Sequence, residues 1–282
     1  MPDVNFIFFG VRGSYPVPDC RVTQYGGNTA SLLVEKGDKI VVFDAGTGII
    51  NIGNYLNTQK PHVRSLDIFL THFHIDHIQG LPFFEPCFSS DFMIRIYGCP
   101  YDNMAFKDII LSLFNQPYSP ISSKGIKAKL HFVELYPDKP QPLSLGDGLE
   151  VGFHKENSHP LSGVLIYRLG DGQKSLVYAT DVESPQGFSG QTLDFVRGAD
   201  VLIHDSQYFD AHYDSPGNSR RGFGHSTVSM AVNNARHSKA GKLFLFHYDP
   251  AYSDADVKRL LKEARKTFKN TFLAEETKKF VL

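Results

Sequence analysis

The chain has 282 residues, 41% of them hydrophobic, and its 29 basic and 30 acidic side chains give a formal net charge of −1. This balance excludes a global attraction to nucleic acid, so binding of that kind needs a local basic patch. No apolar run approaches about twenty residues and no signal-peptide pattern is present, which argues against a membrane partner. Three cysteines without ligand spacing fit a reducing cytoplasm, and we predict a cytoplasmic protein.

The first predicted strands lead into a turn of small residues. Residues 4–9, 31–35 and 39–43 are apolar runs, and the last two flank Lys36-Gly37-Asp38 as a hairpin. Residues 10–28 are rich in glycine, proline and polar residues, which indicates a long ordered loop or the wall of an active site. Asp44 ends the hairpin and precedes Ala-Gly-Thr-Gly. Its carboxylate either caps a helix or supports a functional site from behind.

A dense group of potential metal ligands follows. The sequence H-x-H-x-D-H supplies His72, His74, Asp76 and His77 within six residues, between a predicted buried strand at 66–70 and a predicted helix start at 78–81. Short side chains converge at such a strand-to-helix turn. Imidazole and carboxylate together suit zinc, manganese or iron. A catalytic zinc usually takes about three protein ligands and a water, so four ligands on one turn indicate two metals that share a water. A His-rich surface loop is the alternative.

The rest of the chain alternates predicted strands with a few helices. Asp171-Gly172 is a strong hairpin signal, Gly241 predicts a helix end, and Ser253 with Asp256 approximates a capping box. This order indicates a mixed sheet or two sheets with outer helices, and without a visible linker we predict one domain over residues 1–282. The predicted strands are 92–97, 128–135, 149–156, 164–169, 175–180, 201–204 and 243–246, and the predicted helices are 102–114, 227–240 and 253–268.

Three more candidate ligands lie at the ends of predicted strands. His159 lies between two predicted strands. Asp181 follows the predicted strand 175–180, and His247 follows the run Leu-Phe-Leu-Phe. One such residue alone fits a capped or solvated strand end, but three of them together with H-x-H-x-D-H favour a metal site. The remaining histidines that we interpret as ordinary surface or packing residues are His62, His131, His154, His212 and His237.

In their identity and order these motifs resemble the metallo-β-lactamase fold superfamily over nearly the whole chain. The matching segments are Phe43-Asp44-Ala45-Gly46, H-x-H-x-D-H, His159, Thr180-Asp181 and His247. The resemblance implies an α+β fold, an αββα four-layer sandwich with two mixed β-sheets face to face and helices outside. It implies a first metal on His72, His74 and His159, a second metal on Asp76, His77 and His247, and Asp181 bridging both.

Two later segments are similar to the phosphodiesterase branch that includes tRNase Z. They are Leu202-Ile203-His204-Asp205 and Gly224-His225-Ser226-Thr227. The resemblance implies that Asp205 and His225 pair for phosphate binding and proton donation. A carboxylate beside an imidazole keeps it protonated near neutral pH, and the imidazolium can then protonate a leaving alkoxide. The alternative is that His225 caps the helix that begins near Thr227.

Two departures from tRNase Z guide the predicted substrate. No glycine- and proline-rich arm for gripping tRNA is evident, and the net charge is near neutral. Residues 10–18 and 25–29 look more like the bacterial branch with small-molecule cyclic phosphodiesterases. We therefore predict a small or cyclic nucleotide-type phosphodiester as the substrate and predict against tRNA. Relatives of this kind are often dimers, so a homodimer is a further expectation.

Together the residues predict a binuclear hydrolase with two divalent ions, Zn²⁺ or Mn²⁺, with iron as another option. In this mechanism a metal-bridging hydroxide, oriented by Asp76, attacks phosphorus, and His225, paired with Asp205, supports the leaving oxygen. Three loop arginines are either phosphate contacts or solvated surface residues: Arg12, Arg220 and Arg221.

Other functions stay open at this stage. The same metals could hydrolyse an ester, thioester or lactone, or cut the 3′ end of tRNA. A di-iron redox protein or an idle binding module is disfavoured, because position 74 is His and all seven ligands are present.

Overall fold

Fourteen strands form two mixed sheets in the computed structural model, which describes residues 2–102, 104–120, 122–160 and 163–282. Neighbouring strands of the first sheet are antiparallel in its first half, up to the hairpin strand that precedes Asp44, and parallel beyond it. The spatial order of this sheet is β14 (Lys279–Val281), β1 (Val4–Gly10), β2 (Ser31–Lys36), β3 (Lys39–Phe43), β4 (Ser65–Phe69), β5 (Met93–Gly98) and β6 (Lys129–Glu134).

The second sheet repeats this division between parallel and antiparallel halves. The strand before Asp181 pairs antiparallel on one side, with its hairpin partner across Asp171-Gly172, and parallel on the other. The spatial order is β13 (Thr271–Leu273), β12 (Lys242–Phe246), β11 (Val201–Asp205), β10 (Ser175–Ala179), β9 (Val164–Gly170), β8 (Leu149–Glu156) and β7 (Leu143–Gly146).

Helices cover the outer faces of both sheets. Across the described ranges the α-helices are α1 (Gly48–Gln59), α2 (Ile75–Ile78), α3 (Phe106–Ser112), α4 (Gly190–Val196), α5 (Asp210–Tyr213), α6 (Val228–His237) and α7 (Asp254–Arg265). Helices α1 and α3 pack on the first sheet, and α4, α6 and α7 pack on the second. The predicted αββα sandwich is confirmed. Along these same ranges, no helix combines the length and apolar character needed to cross a membrane.

The main core lies between the two sheets, and aromatic rings fill much of it. Phe6 and Phe8 of β1 point inward and pack against Phe244 of β12, with ring centroids 5.2 and 5.8 Å away. Ile7 and Phe9 point to the opposite face, into a second core beneath the outer helices. Successive strand residues alternate between faces, so this strand is buried on both sides and is apolar from Phe6 to Phe9.

Helix α1 is absent from the sequence-based prediction, and packing explains why it forms. Its sequence contains Gly48, Gly53 and three asparagines, all weak helix formers. Its buried face presents Ile49, Ile52 and Leu56 to the first sheet. Tertiary burial of this face therefore outweighs a poor local propensity.

Two helix boundaries differ from prediction. Helix α6 ends at His237 rather than at 240, because Lys239 adopts a left-handed conformation with φ 57° and Gly241 already leads into β12. Helix α3 is shorter than the predicted 102–114, of which Asn103 lies outside the described residues. Helix α7 begins as predicted, with the Ser253–Asp256 capping box formed.

Truncation of Phe244 tests the packing between the sheets. Its ring also contacts Phe272 and Phe280, with centroids 5.3 and 4.9 Å away. We expect Phe244→Ala to lower the free energy of unfolding by about 3–5 kcal/mol. Phe83→Ala, at a ring that is 65% exposed, should change it by less than about 0.5 kcal/mol. Urea denaturation followed by tyrosine fluorescence measures both, and equal losses would contradict this description of the core.

Candidate metal centre

The predicted ligands gather where parallel strands of both sheets end. In α/β sheets, side chains beyond the carboxyl ends of strands meet at one edge, where ligands bind. Here β3 and β4 of the first sheet and β10, β11 and β12 of the second contribute. The residues at or just beyond these ends are Asp44, the segment from Thr71 to His77, Asp181, Asp205 and His247, and His159 joins them from the loop after β8.

Three of these residues leave their strands in an unusual backbone conformation. The φ angles of Asp44, Asp181 and His247 are 61°, 54° and 62°. The left-handed region is uncommon for residues other than glycine, and a residue held there costs on the order of 1 kcal/mol or more. All three side chains are fully buried at the same site. Contacts around the site therefore hold each strand end in this turn.

The first ligand cluster consists of His72, His74, His159 and Asp181, whose ligand atoms all lie within 4.8 Å of one another. Asp181 Oδ2 is 3.6 Å from His72 Nε2 and 4.0 Å from His159 Nε2. His74 presents its Nδ1 atom, 3.0 Å from His159 Nε2. The structure thus brings together the residues assigned to the first metal.

The second cluster consists of Asp76, His77, Asp181 and His247. Asp181 Oδ1 is 3.2 Å from both His77 Nε2 and His247 Nε2. Asp76 Oδ2 is 3.4 and 3.3 Å from the same two nitrogens. Because Oδ2 of Asp181 faces the first cluster and Oδ1 the second, this carboxylate lies between them in the place of a bridging ligand.

Protein acceptors bind the outer nitrogen of four imidazoles. Each Nδ1–H therefore points outward, and the Nε2 lone pair faces the centre, as is usual for histidine metal ligands. The acceptor Asp44 serves this outer role, so of the two predicted roles it supports the site and does not cap a helix. The pairs are His72 with Thr71 Oγ1 at 3.0 Å, His77 with Asp44 Oδ2 at 2.8 Å, His159 with the Gly224 carbonyl at 3.0 Å, and His247 with Gln207 Oε1 at 3.0 Å.

The inward-facing nitrogens need a cation. His72 Nε2 is buried without a hydrogen-bond partner among the described residues, and burial lowers the pKa of His72 well below its usual value. His77 Nε2 and His247 Nε2 approach each other at 3.3 Å. Burial lowers the pKa of His77, but Asp181, Asp76 and Asp44 outweigh it and raise that pKa well above the usual value. The carboxylates thus require positive charge here, and two divalent metal ions fit this donor set.

The glycine-rich loop near the N-terminus forms one wall of the site, as the sequence indicated. Ser14 N donates to Asp76 Oδ2 at 2.7 Å, and a Cβ on Gly13 would lie 2.5 Å from the His247 ring. The prediction for Arg12 is wrong in both its forms, because this side chain is fully buried. It donates to the carbonyls of Gly26 and Tyr252 at 2.9 and 2.8 Å and so holds the loop.

The predicted pair of His225 and Asp205 lies against both clusters. His225 Nδ1 donates to Asp205 Oδ2 at 2.8 Å and is 3.9 Å from Asp181 Oδ2. Burial lowers the pKa of His225, but the Asp205 carboxylate outweighs it and raises that pKa to about 9. Helix α6 is capped by Thr227, whose hydroxyl accepts from Met230 N. The alternative of His225 as a helix cap is therefore excluded.

Sequence reasoning missed several residues that shape the site. Gln207 orients His247, and Thr71 Oγ1 links His72 to Asp44 at 2.9 Å. Glu183 accepts from the backbone of Gly222 and Gly224 at 2.8 and 2.7 Å. The available signal was position, because each lies within two residues of a predicted site residue at a strand end. Helix α2 also begins inside the motif, at Ile75, rather than after it.

The superfamily is established by a family model. The model described as Beta-lactamase superfamily domain matches residues 39–248. The chain therefore belongs to this superfamily, and it is a hydrolytic enzyme.

Individual relatives and structures extend over nearly the whole chain. Ribonuclease Z of Thermoplasma acidophilum is 26% identical over an aligned span of 319 residues, which covers 97% of this chain and 95% of that protein. The metallo-β-lactamase fold protein YhfI of Bacillus subtilis has a TM-score of 0.73 at 21% identity over 100% of both chains. The short form of human tRNase Z has a TM-score of 0.66 at 20% identity over 98% of each chain.

The prediction against tRNA is wrong. Relatives from several archaea and one bacterium that match nearly the whole chain are named ribonuclease Z. The span of 319 residues exceeds the length of this chain, so the Thermoplasma protein carries insertions that this chain lacks. Neither the near-neutral charge nor the missing arm separates the chain from such relatives, because the distribution of charge rather than its sum governs nucleic-acid binding.

Substitution of Asp44 tests the ligand support. We expect Asp44→Asn to weaken zinc binding by about 10- to 100-fold, because the Nδ1–H of His77 loses its charged acceptor. Asp67→Asn is the control, since Asp67 is equally buried in the first sheet but pairs with Lys39 and Arg95. Competition with a chromophoric chelator, with circular dichroism to verify folding, measures both. Unchanged affinity in Asp44→Asn would disprove this role.

Proposed function

We propose that the chain is a binuclear metal-dependent phosphodiesterase that uses zinc or manganese, with iron as a further candidate. The observation that carries this proposal is the buried His225–Asp205 pair, 3.9 Å from the carboxylate shared by both ligand clusters. A phosphodiester releases an alkoxide, which is a poor leaving group without a proton. An imidazolium held beside the two ligand clusters supplies that proton.

The ligands of the two clusters would hold the ions, with Asp181 between them. When bound, two divalent ions activate a water nucleophile and neutralise charge at phosphorus. Within the described residues, Asp76 Oδ1 accepts no hydrogen bond, while Oδ2 is fixed by Ser14 N. Asp76 Oδ1 is thus available to accept a hydrogen bond from the attacking water and orient it.

His225 and Asp205 divide the work of proton donation. Nδ1–H of His225 stays on Asp205 Oδ2, whose carboxylate also accepts from Gln207 N and, more weakly, Ser226 N through Oδ1. These contacts fix the carboxylate, and with it the imidazole plane. The Nε2–H proton of His225 is then free for transfer to the leaving oxygen. The Asp205 carboxylate accepts this hydrogen bond and stabilises the charged imidazole.

RNA is the second candidate substrate. The names of the relatives matched over 97% of the chain favour it. A small or cyclic nucleotide is the first candidate, because a cavity of about 500 Å³ lined by His159 and Gly222 matches a nucleotide in size. The same dimetal chemistry serves both substrates, so the difference lies in what surrounds the scissile phosphate.

The reaction is tested first with bis-p-nitrophenyl phosphate. We expect turnover by protein reloaded with zinc or manganese and a loss of at least about 100-fold in Asp76→Ala. His62→Ala, at an exposed histidine outside both clusters, should retain wild-type turnover. Absence of turnover in protein that holds two ions would refute the phosphodiesterase and direct a screen to esters, thioesters and lactones.

The role of His225 is tested by the leaving group. His225→Ala should lose about 100- to 10⁴-fold in kcat on a dinucleotide, whose alkoxide needs a proton. The loss on bis-p-nitrophenyl phosphate should be smaller, because p-nitrophenolate leaves without one. His237→Ala, at an exposed histidine of α6, is the control. Equal losses of the His225 variant on both substrates would rule out proton donation.

The two substrate candidates are separated by a direct comparison. Metal-loaded protein is incubated with a precursor tRNA that carries a 3′ trailer and, separately, with cyclic nucleotides. Removal of the trailer, absent in Asp76→Ala, would establish RNA as a substrate. Turnover confined to cyclic nucleotides would favour the small-molecule candidate.

A further inference from the structure

A loop beside the two ligand clusters is held in place by the carboxylate of Glu183. We call residues 214–223, between α5 and Gly224, the arginine loop. Glu183 Oε1 accepts from Tyr213 Oη at 2.6 Å and from Gly222 N at 2.8 Å, and Glu183 Oε2 accepts from Gly224 N at 2.7 Å. Both ends of the loop are therefore tied to the residue two positions after Asp181.

Within this loop, Arg220 is held by aromatic rings and not by an acid. Its Cζ lies 5.9 Å from the Tyr208 ring centroid and 5.8 Å from that of Phe223, and its backbone N donates to Tyr213 O. The side chain is half-buried. In the part of the chain that the structure describes, its guanidinium has no hydrogen-bond acceptor and no carboxylate partner. Its N–H donors are thus positioned and available.

The adjacent arginine also lies over an aromatic ring but differs in its exposure and in having a carboxylate partner. Arg221 is exposed, its Nε pairs with Asp214 Oδ1 at 2.7 Å, and its Cζ lies 5.1 Å from the Tyr213 ring. Its guanidinium is therefore already paired with a carboxylate at the surface. Of the two loop arginines, Arg220 alone is half-buried and has no carboxylate partner among the described residues.

The position of Arg220 relates it to the leaving-group side of the reaction. The Tyr208 ring that supports it also contacts the His225 ring edge-on, with centroids 6.1 Å apart. A single aromatic ring thus separates Arg220 from the proposed proton donor. Gly222, two residues after Arg220 in the same loop, and the predicted ligand His159 both line a cavity of about 500 Å³, which is large enough for a nucleotide.

We propose that Arg220 binds a second, non-scissile phosphate of the substrate, on the side of the leaving group. This inference rests on the proposed phosphodiesterase function and narrows its substrate class to nucleotide-type phosphodiesters with a flanking phosphate. Guanidinium suits this task because its planar fork binds two phosphate oxygens and its aromatic supports restrict its motion. Tyr208 and Phe223 hold the fork, and Glu183 holds the loop.

Binding to metal-loaded protein gives the first test, with adenosine 3′,5′-bisphosphate and adenosine 5′-monophosphate as probes in calorimetric titrations. Wild type should prefer the bisphosphate. Arg220→Gln should weaken bisphosphate binding about tenfold while changing monophosphate binding less, because the lost bonds are charge-assisted. Arg220→Lys keeps the charge without the planar fork, so its affinity for the bisphosphate should lie between those of the wild type and Arg220→Gln. Arg221→Gln should bind both probes as the wild type does.

Kinetics give the second test. Arg220→Gln should lower kcat/KM on a dinucleotide with a terminal phosphate about tenfold more than on bis-p-nitrophenyl phosphate. Arg221→Gln should keep wild-type values on both. The proposal would be overturned if Arg220→Gln and Arg221→Gln had the same affinities and the same kcat/KM values. It would also be overturned if Arg220→Gln lost equally in affinity for the bisphosphate and the monophosphate, or equally in kcat/KM on the two substrates. If bis-p-nitrophenyl phosphate is not cleaved but the bisphosphate preference still depends on Arg220, the reaction assignment fails and the phosphate site stands.

Discussion

The buried carboxylate of Asp44 is the contact on which both the fold and the site depend. It accepts from Thr71 N and Thr71 Oγ1 at 2.9 Å and from His77 Nδ1 at 2.8 Å, all on the chain that leaves the first sheet. It also accepts from Tyr178 Oη of the second sheet at 3.0 Å. A charged acceptor with this many donors is satisfied despite full burial. Removal of this carboxylate would leave donors from both sheets and from the ligand turn without a partner.

The metal centre is assembled from segments far apart in the chain. The H-x-H-x-D-H turn comes from the first sheet, whereas Asp181 and His247 come from the second. The two sheets must therefore pack in register before either cluster can form. Binding of ions that bridge them would add stability to the packed state over the unfolded chain, since the unfolded chain does not preform the site. Core packing and metal affinity are consequently coupled in this fold.

The sequence was most informative where residue type and position agreed. Histidine and aspartate at the ends of apolar runs marked the ligands, because strand ends are short, ordered and convergent. The resemblance added the pairing of His225 with Asp205. Other features depend on tertiary contacts that no local pattern carries. Helix α1 forms from weak helix formers because its apolar face is covered. Arg12 is buried because the carbonyls of Gly26 and Tyr252, distant in the sequence, accept hydrogen bonds from its guanidinium.

The orientation of individual side chains at the site also could not be predicted from local sequence patterns. The tautomer of His247 depends on Gln207, forty positions earlier in the chain. His74 presents Nδ1 instead of Nε2, which depends on where His159 is placed by another sheet. Net charge gave a misleading answer about RNA, because a sum over 282 residues contains no information about where the charges lie.

The close approach of glycine backbone to the ligand rings limits how this sequence can change over evolutionary time. A Cβ at Gly13 would meet the His247 ring at 2.5 Å, and one at Gly224 would meet His159 Nδ1 at 2.2 Å. Each glycine lies against the outer nitrogen of a cluster histidine, so a larger residue would push that ring into the ligand cluster. Descendants that keep the cluster residues must therefore also keep these two glycines, although neither contributes a side chain to the clusters. Loss of either glycine in a natural variant would indicate that the ligand positions described here are no longer maintained in that lineage.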